Sequence, residues 1–142
     1  LKKYPKRKIQ DTFSSFRKRG LLEINRSNKQ VYISLTKEGK KKAGILQIND
    51  LRIARPKKWD GMWRVLLFDI AHEKRSYREA LRGKLKELNF FLFQKSVWVH
   101  AFDCKAEMGI LRDFFGLNSQ EMCLLVVESI EHDEKLREFF GV

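Results

Sequence analysis

Residues 59–102 place the strongest restriction on how this chain can fold. An almost continuous apolar run, residues 62–68, is followed by Asp69, then by a charged amphipathic stretch and two short runs rich in Phe and Val. Continuous apolar runs of this length are typical of strands at the centre of a sheet. The pattern predicts strand, helix, strand and strand, with a carboxylate where the first strand ends.

The rest of the C-terminal part extends this plan. Residues 74–88 are predicted to form a helix on the sheet, because apolar side chains recur there at helical spacing: Tyr77, Leu81, Leu85 and Leu88. Residues 90–93 and 97–102 are the next predicted strands, residues 105–115 a second helix and residues 123–127 a fourth strand. The order βαββαβ is that of the ferredoxin-like arrangement.

Two similar segments, residues 111–117 and 136–142, each contain Leu-Arg, an acidic residue, Phe-Phe-Gly and an aliphatic residue. Gly116 and Gly141 are predicted to close two helices in the left-handed conformation. The last of these helices is expected to cover the sheet or to pack on a second subunit.

The positive charge of the chain lies in its first part. Residues 1–58 contain 18 Lys and Arg against 4 Asp and Glu, which gives +14, and residues 59–142 contain 12 against 14, which gives −2. Clustered cations favour an acidic polymer or an anionic membrane surface as partner, because binding releases condensed counterions. The alternative is a solvated lysine-rich face.

The basic part predicts a helix, a hairpin and a second helix. Ile9, Phe13 and Phe16 recur at helical spacing before Gly20, and residues 21–24 and 31–35 are β-prone runs around a polar tip at residues 25–30. Thr36 is the predicted N-cap of a helix at residues 37–46. This order resembles the second half of a winged helix, and the first two helices of such a domain have no counterpart.

We therefore predict an α+β protein: a partial winged-helix module at residues 1–47, a basic linker at residues 48–58 and a ferredoxin-like dimerisation domain at residues 59–142. A winged helix commonly places its recognition helix in the major groove and its hairpin along the backbone or minor groove. Gln10, Ser14 and Lys18 are the predicted base contacts. The predicted phosphate contacts are Lys8, Arg17, Arg26 and Lys29, and Arg75 and Arg78 of the second part are further predicted DNA-binding residues. The alternative is that the basic segment packs on another protein.

Asp69 is the candidate catalytic and metal-binding residue. If two subunits paired with these strand ends facing, two carboxylates could share Mg²⁺ or Mn²⁺, which could activate water against a phosphodiester. The alternative is that Asp69 caps the following helix or pairs with Arg75 or Arg78. DNA binding itself requires no cofactor.

Other residues give no further site. Cys104 and Cys123 form no metal or disulfide pattern, and His72, His100 and His132 are widely spaced. The tryptophans are expected in the core. No apolar run is long enough to span a membrane and the N-terminus has no signal pattern, so a cytoplasmic protein without a membrane partner is expected.

Four segments together resemble the PaaX family of repressors of phenylacetate degradation: residues 35–39, 59–70, 74–82 and 94–100. The resemblance implies a winged helix that binds operator DNA as a dimer. It also implies a central domain similar to the small CRISPR-associated endonuclease of the spacer-acquisition complex, in which Asp69 matches the metal-binding aspartate. Ala71 stands where the family often has Pro, and Asn89 where it often has Gly.

The leading hypothesis is a homodimeric, PaaX-type regulator that binds double-stranded DNA. Without the first two winged-helix helices, the remaining helix and hairpin are expected to bind DNA through charge, and neither operator nor effector is defined. The alternatives are a metal-dependent double-stranded DNA endonuclease that uses Asp69 from both subunits, and a noncatalytic DNA-binding scaffold.

Overall fold

A computed structural model describes residues 6–142, which form two compact units that divide between Asp50 and Leu51. The described chain is mixed α+β, with five α-helices, one short 3₁₀ helix and two antiparallel sheets. The division of residues between modules predicted from the sequence stays a prediction.

The first unit contains α1 (Lys6–Lys18), β1 (Leu22–Ser27), β2 (Gln30–Leu35) and α2 (Lys37–Asn49). Helix α1 ends through Gly20, which has φ +71°, and the Leu21 amide donates to the Phe16 carbonyl at 3.0 Å. This left-handed cap is the helix end predicted at Gly20. The predicted burial of Ile9 concerns a side chain outside the described residues.

The hairpin has longer strands and a tighter turn than the sequence predicted. Asn28 and Lys29 alone connect the strands, with φ values of +50° and +63°, and Ser27 is already paired with Gln30. Positive φ at both central residues is the requirement of a type I′ turn, whose twist matches that of the flanking strands. The polar tip predicted at residues 25–30 is therefore mostly paired strand.

Helix α2 begins at the predicted N-cap and packs closely on the segment that follows α1. The Thr36 hydroxyl accepts a hydrogen bond from the Gly39 amide at 3.0 Å. A β-carbon at Gly39 would lie 1.9 Å from the Leu21 carbonyl oxygen, so only glycine fits. The helix continues to Asn49, three residues beyond its predicted end.

The second unit has one four-stranded sheet. Its elements are β3 (Trp63–Phe68), a 3₁₀ helix (His72–Lys74), α3 (Arg75–Glu87), β4 (Phe91–Gln94), β5 (Val97–His100), α4 (Lys105–Phe115), β6 (Met122–Val127) and α5 (Glu134–Phe140). The strand order is β4-β5-β3-β6 with every neighbouring pair antiparallel, so β3 and β5 are central and β4 and β6 are edges. The predicted element order is observed, and α4 has the predicted bounds.

The core of this unit contains Trp63, Leu66, Leu81 and Trp98, all at most 1% exposed. The prediction that Trp63 and Trp98 are core residues is confirmed. Tyr77 was predicted on the buried face of α3 but is 48% exposed, and its ring lies 6.1 Å from that of Phe115.

The segment before β3 is fixed by an ion pair that the sequence did not predict. The Arg64 guanidinium is 7% exposed and donates to the Asp60 carboxylate at 2.8 Å and to the Ala101 carbonyl at 2.9 Å. Gly61, with φ +78°, allows the chain to turn between the two partners. Hydrogen bonding from Arg64 lowers the pKa of Asp60, so the pair stays charged at neutral pH.

Candidate nucleic-acid interface

One row of polar side chains runs along α1. Gln10, Ser14 and Lys18 are exposed and follow one another at a spacing of four residues, so they lie on the same face of the helix. Arg17 is exposed in the adjoining row. The structure thus brings together four of the five side chains predicted as DNA contacts on this helix.

Lys8 is exposed as well but lies apart from that row. At 3.6 residues per turn it is roughly a third of a turn away, and its carbonyl accepts a hydrogen bond from the Thr12 hydroxyl at 2.8 Å. Arg7, which was not among the predicted contacts, is exposed and falls in line with Ser14 and Lys18. Arg7 precedes Ser14 by seven residues and Lys18 by eleven, and this helical spacing was the sequence signal that places it on the same face. Asp11 borders the same face and reduces its positive charge.

The hairpin presents two further cations at its end. Arg26 is exposed next to the tip of β1, and Lys29 is exposed within the two-residue turn. Because the turn is short and both strands are paired up to it, these two residues are carried by a regular hairpin and not by a long loop. The unit therefore offers a helix and a hairpin tip, each with exposed basic residues.

Arg75 and Arg78 lie on α3 of the second unit. Arg75 is exposed and Arg78 is half-buried, and neither side chain makes a hydrogen bond or salt bridge within residues 6–142. Arg82, on the same helix, is structural, since it donates to the Lys95 carbonyl at 2.7 Å and lies 5.7 Å from the centre of the Trp98 ring. It holds the turn between β4 and β5 against α3.

Asp69 follows β3 and its side chain is exposed. Its amide donates to the Glu121 carbonyl at 2.9 Å, which continues the pairing of β3 with the start of β6. Among the described residues, no hydrogen bond or ion pair involves its carboxylate, and the following 3₁₀ helix has Ala71 at its N-cap without a side-chain cap. The alternative that Asp69 caps the helix or pairs with Arg75 or Arg78 was therefore wrong.

The carboxylate of Glu121, beside Asp69 in the sheet, is already bound. It accepts a hydrogen bond from the Asn118 amide at 3.2 Å and forms a salt bridge with Lys74 Nζ at 3.1 Å. The Asn118 amide, with Lys74, lowers the pKa of Glu121. Across residues 6–142 no three His, Cys, Asp or Glu side chains are grouped to hold a metal ion. Asp69 within one chain thus does not fit a cation site.

Cys104 and His100 are buried in the second unit and are not part of these surfaces. Both cysteines are free, and burial raises the pKa of Cys104 to about 12. His100 is 3% exposed, its Nδ1 accepts from the Phe102 amide at 3.1 Å, and its Nε2 is 3.2 Å from the Leu88 carbonyl. Burial lowers the pKa of His100 to about 4, so it is neutral at physiological pH.

Comparison with known protein families identifies the family to which the second unit is similar. The four-stranded unit is a Cas2-like domain, since residues 56–137 match the family described as the PaaX protein central Cas2-like domain. The match covers more than half of the chain, and the chain therefore belongs to the PaaX family. A comparison with curated proteins gave no match. In the described part of the chain, no helix has the length and apolar character needed to cross a membrane.

Proposed function

We propose that this chain is a DNA-binding regulator of PaaX type that contacts duplex DNA through α1 and the tip of the β1–β2 hairpin. The observation that carries the proposal is the exposed row on α1, with Gln10, Ser14 and Lys18 in line and Arg17 beside them. Amide and hydroxyl groups can read base edges, while Lys and Arg neutralise phosphates, and the row contains both kinds.

The order of the first unit supports a winged-helix mode of binding. Helix α1 is followed directly by a two-stranded hairpin whose turn carries Lys29, and then by α2. In a winged helix the recognition helix enters the major groove and the hairpin reaches the neighbouring backbone or minor groove. In that mode Arg26 and Lys29 bind phosphates, and α2 lies away from the DNA.

The ferredoxin-like arrangement of the second unit is proposed to carry the homodimer. Both edge strands expose apolar side chains: Leu92 and Phe93 on β4, and Leu125 and Val126 on β6, each at least 40% exposed. Unpaired edges with exposed apolar residues favour association. Sedimentation of the chain over a range of concentrations tests this part, and a monomer at every concentration would contradict it.

A metal-dependent endonuclease is the second candidate, and it rests on the exposed, unpaired carboxylate of Asp69. Because one chain does not form a cation site there, this activity needs Asp69 from two subunits. A scaffold that binds DNA without sequence preference is the third candidate. The three differ in what they do to DNA, so binding and cleavage measurements separate them.

The proposal is tested first by selection from random duplexes, followed by affinity measurements on the enriched sequence. A regulator enriches one sequence, and a scaffold enriches none. The double variant Arg17→Gln/Lys18→Gln is expected to bind roughly tenfold or more weakly, as expected for lost charge-assisted contacts. The matched control, Lys40→Gln/Lys41→Gln, removes the same charge from exposed positions on α2.

The control decides between a specific surface and charge alone. If both double variants lose affinity equally, the basic unit binds through net charge and the winged-helix mode is wrong. If only the α1 variant loses affinity, the helix forms the contact surface. If neither variant changes affinity, the proposal for α1 fails.

A further inference from the structure

A groove of about 310 Å³ lies between α4 and the edge strand β6 in the second unit. Lys105, Met108 and Arg112 line it from α4, where spacings of three and seven residues place them on one helix face. Met122 and Leu124 line it from one face of β6, and Ser119 from the loop before that strand.

The two cations of this groove lack partners. Neither Lys105 nor Arg112 forms a side-chain hydrogen bond or salt bridge with any residue between 6 and 142. Two buried cations of the same unit do form salt bridges, Arg64 with Asp60 and Lys84 with Glu87 at 3.1 Å. Arg112 Nε is inaccessible to solvent and has no hydrogen-bond partner. The two Nη groups of Arg112, which lack partners as well, are the donors that an anion in the groove could reach.

Apart from Ser119, the remaining walls are apolar. Met108 and Met122 are 1% and 0% exposed, and their side chains are packed beneath the groove. A groove of this volume is at the lower end of the size range of small-molecule sites. Apolar walls with a small number of polar groups are typical of such sites. The same composition would give inorganic phosphate few contacts, from the two cations and Ser119 alone.

We propose that the α4–β6 groove binds a small organic carboxylate with an apolar body. Arg112 and Lys105 bind the carboxylate group, and Leu124 contacts the apolar body above the buried side chains of Met108 and Met122. Arg112 suits this role, because a guanidinium can donate two parallel hydrogen bonds to one carboxylate. The site is separate from α1 and the hairpin, and the inference does not depend on the proposed DNA binding.

The methionines provide a local measurement on the complete chain. There are three, and Met62 does not line the groove, so it serves as an internal reference. Octanoate is titrated into protein labelled with ¹³C at the methionine methyl groups, and the three signals are followed by NMR. The signals of Met108 and Met122 are expected to shift with one common dissociation constant, while that of Met62 stays in place.

Two probes of matched chemistry test the two halves of the site. Octanol keeps the apolar body but lacks the charge, and inorganic phosphate keeps a charge but lacks the apolar body. Both are expected to bind at least roughly tenfold more weakly than octanoate. If octanol binds as tightly as octanoate, the groove is merely apolar. If phosphate binds as tightly, the site recognises any anion. Either outcome overturns the proposal.

Variants assign the binding to the two cations. Arg112→Gln is expected to weaken octanoate binding roughly tenfold or more. Lys105→Gln changes an exposed position, keeps the buried part intact and is expected to weaken binding as well, so the test stands even if Arg112→Gln fails to fold. Lys86→Gln, an exposed cation of α3 outside the groove, is the control and should bind unchanged. No shift with octanoate up to about 10 mM, or unchanged binding in folded variants, overturns the proposal.

Discussion

Lys74 binds Glu121 through a salt bridge of 3.1 Å, and the carbonyl of the same glutamate accepts the amide hydrogen of Asp69 at 2.9 Å. The backbone therefore places Asp69 and Glu121 side by side, and the carboxylate of Glu121 is neutralised by a lysine. Asp69 is left as a single exposed carboxylate. Within one chain, Asp69 is therefore the carboxylate at this end of β3 that has no ion-pair partner among residues 6–142.

We expect no metal-dependent cleavage of plasmid or linear duplex DNA by the chain in Mg²⁺ or Mn²⁺. The reason is that the proposed regulator binds DNA without cleaving it, and each subunit of a homodimer would offer a hard cation only Asp69, because Glu121 beside it is bound to Lys74. Products are followed on gels, with EDTA and Asp69→Ala as controls. Cleavage that requires metal and disappears in Asp69→Ala would contradict this prediction and identify an endonuclease.

Protonation of His100 is expected to destabilise the second unit. The folded pKa is about 4 because of burial, whereas an unfolded histidine titrates near 6.5, so the unfolded state binds the additional proton between these values. The stabilisation is complete above about pH 6.5 and is lost as the pH falls to about 4, by roughly 3 kcal/mol.

Urea unfolding followed by tryptophan fluorescence measures this effect, since all three tryptophans lie in the second unit. His100→Gln should flatten the pH dependence of the free energy of unfolding between pH 6.5 and 4. His72→Gln, an exposed histidine, should leave it as in the natural chain. Equal pH dependence in all three proteins would show that His100 titrates normally.

Replacement of Gly39 by Ala should destabilise the first unit. The new β-carbon would meet the Leu21 carbonyl oxygen at 1.9 Å, so α2 must move away from the segment after α1. The cost of such overpacking is about 1–3 kcal/mol, although Gly→Ala normally favours a helix. Amide hydrogen exchange in α2 is expected to become faster.

Gly83→Ala is the matched control, because Gly83 lies within α3 and a β-carbon there would meet nothing within 4 Å. It should stabilise its own helix by about 0.5–1 kcal/mol. If Gly39→Ala also slows exchange in its helix, the close approach of Gly39 and Leu21 is not a constraint on this fold.

Removal of the Asp60 carboxylate should destabilise the second unit by about 1–2 kcal/mol, since a buried guanidinium loses charge-assisted hydrogen bonds. The change is Asp60→Asn, measured by urea unfolding. The expected loss of stability is small because the Asp60 side chain is 51% exposed and Arg64 keeps the Met62 and Ala101 carbonyls as acceptors. Asp69→Asn is the control and should be neutral. A neutral Asp60→Asn would contradict the role given to this pair.

The sequence was informative where structure depends on local patterns. Apolar spacing and glycine caps predicted every α-helix and strand of the described chain in order, but not the 3₁₀ helix at His72–Lys74, and residues 105–115 matched α4 at both ends. The two-residue turn at Asn28 and Lys29 was missed because its signal is a backbone conformation, which Asn favours but does not dictate.

Contacts between distant segments could not be predicted in this way. The hydrogen bonds of His100 to Leu88 and of Arg82 to Lys95 depend on how β5 and α3 pack, and no local pattern reports them. The same holds for the unpaired cations Lys105 and Arg112, whose groove exists only when β6 lies beside α4. For Asp69 the sequence predicted the strand end, but not that Lys74 would bind the neighbouring carboxylate.

The salt dependence of DNA affinity in matched hairpin variants tests the central claim most directly. Each phosphate contact contributes about −0.9 to the slope of log K against log salt concentration. If Arg26 and Lys29 each bind a phosphate, Arg26→Gln/Lys29→Gln should reduce the magnitude of the slope by about 2, while Lys40→Gln/Lys41→Gln should leave it unchanged. Identical slopes for the natural chain and the hairpin variant would contradict DNA binding by the hairpin tip.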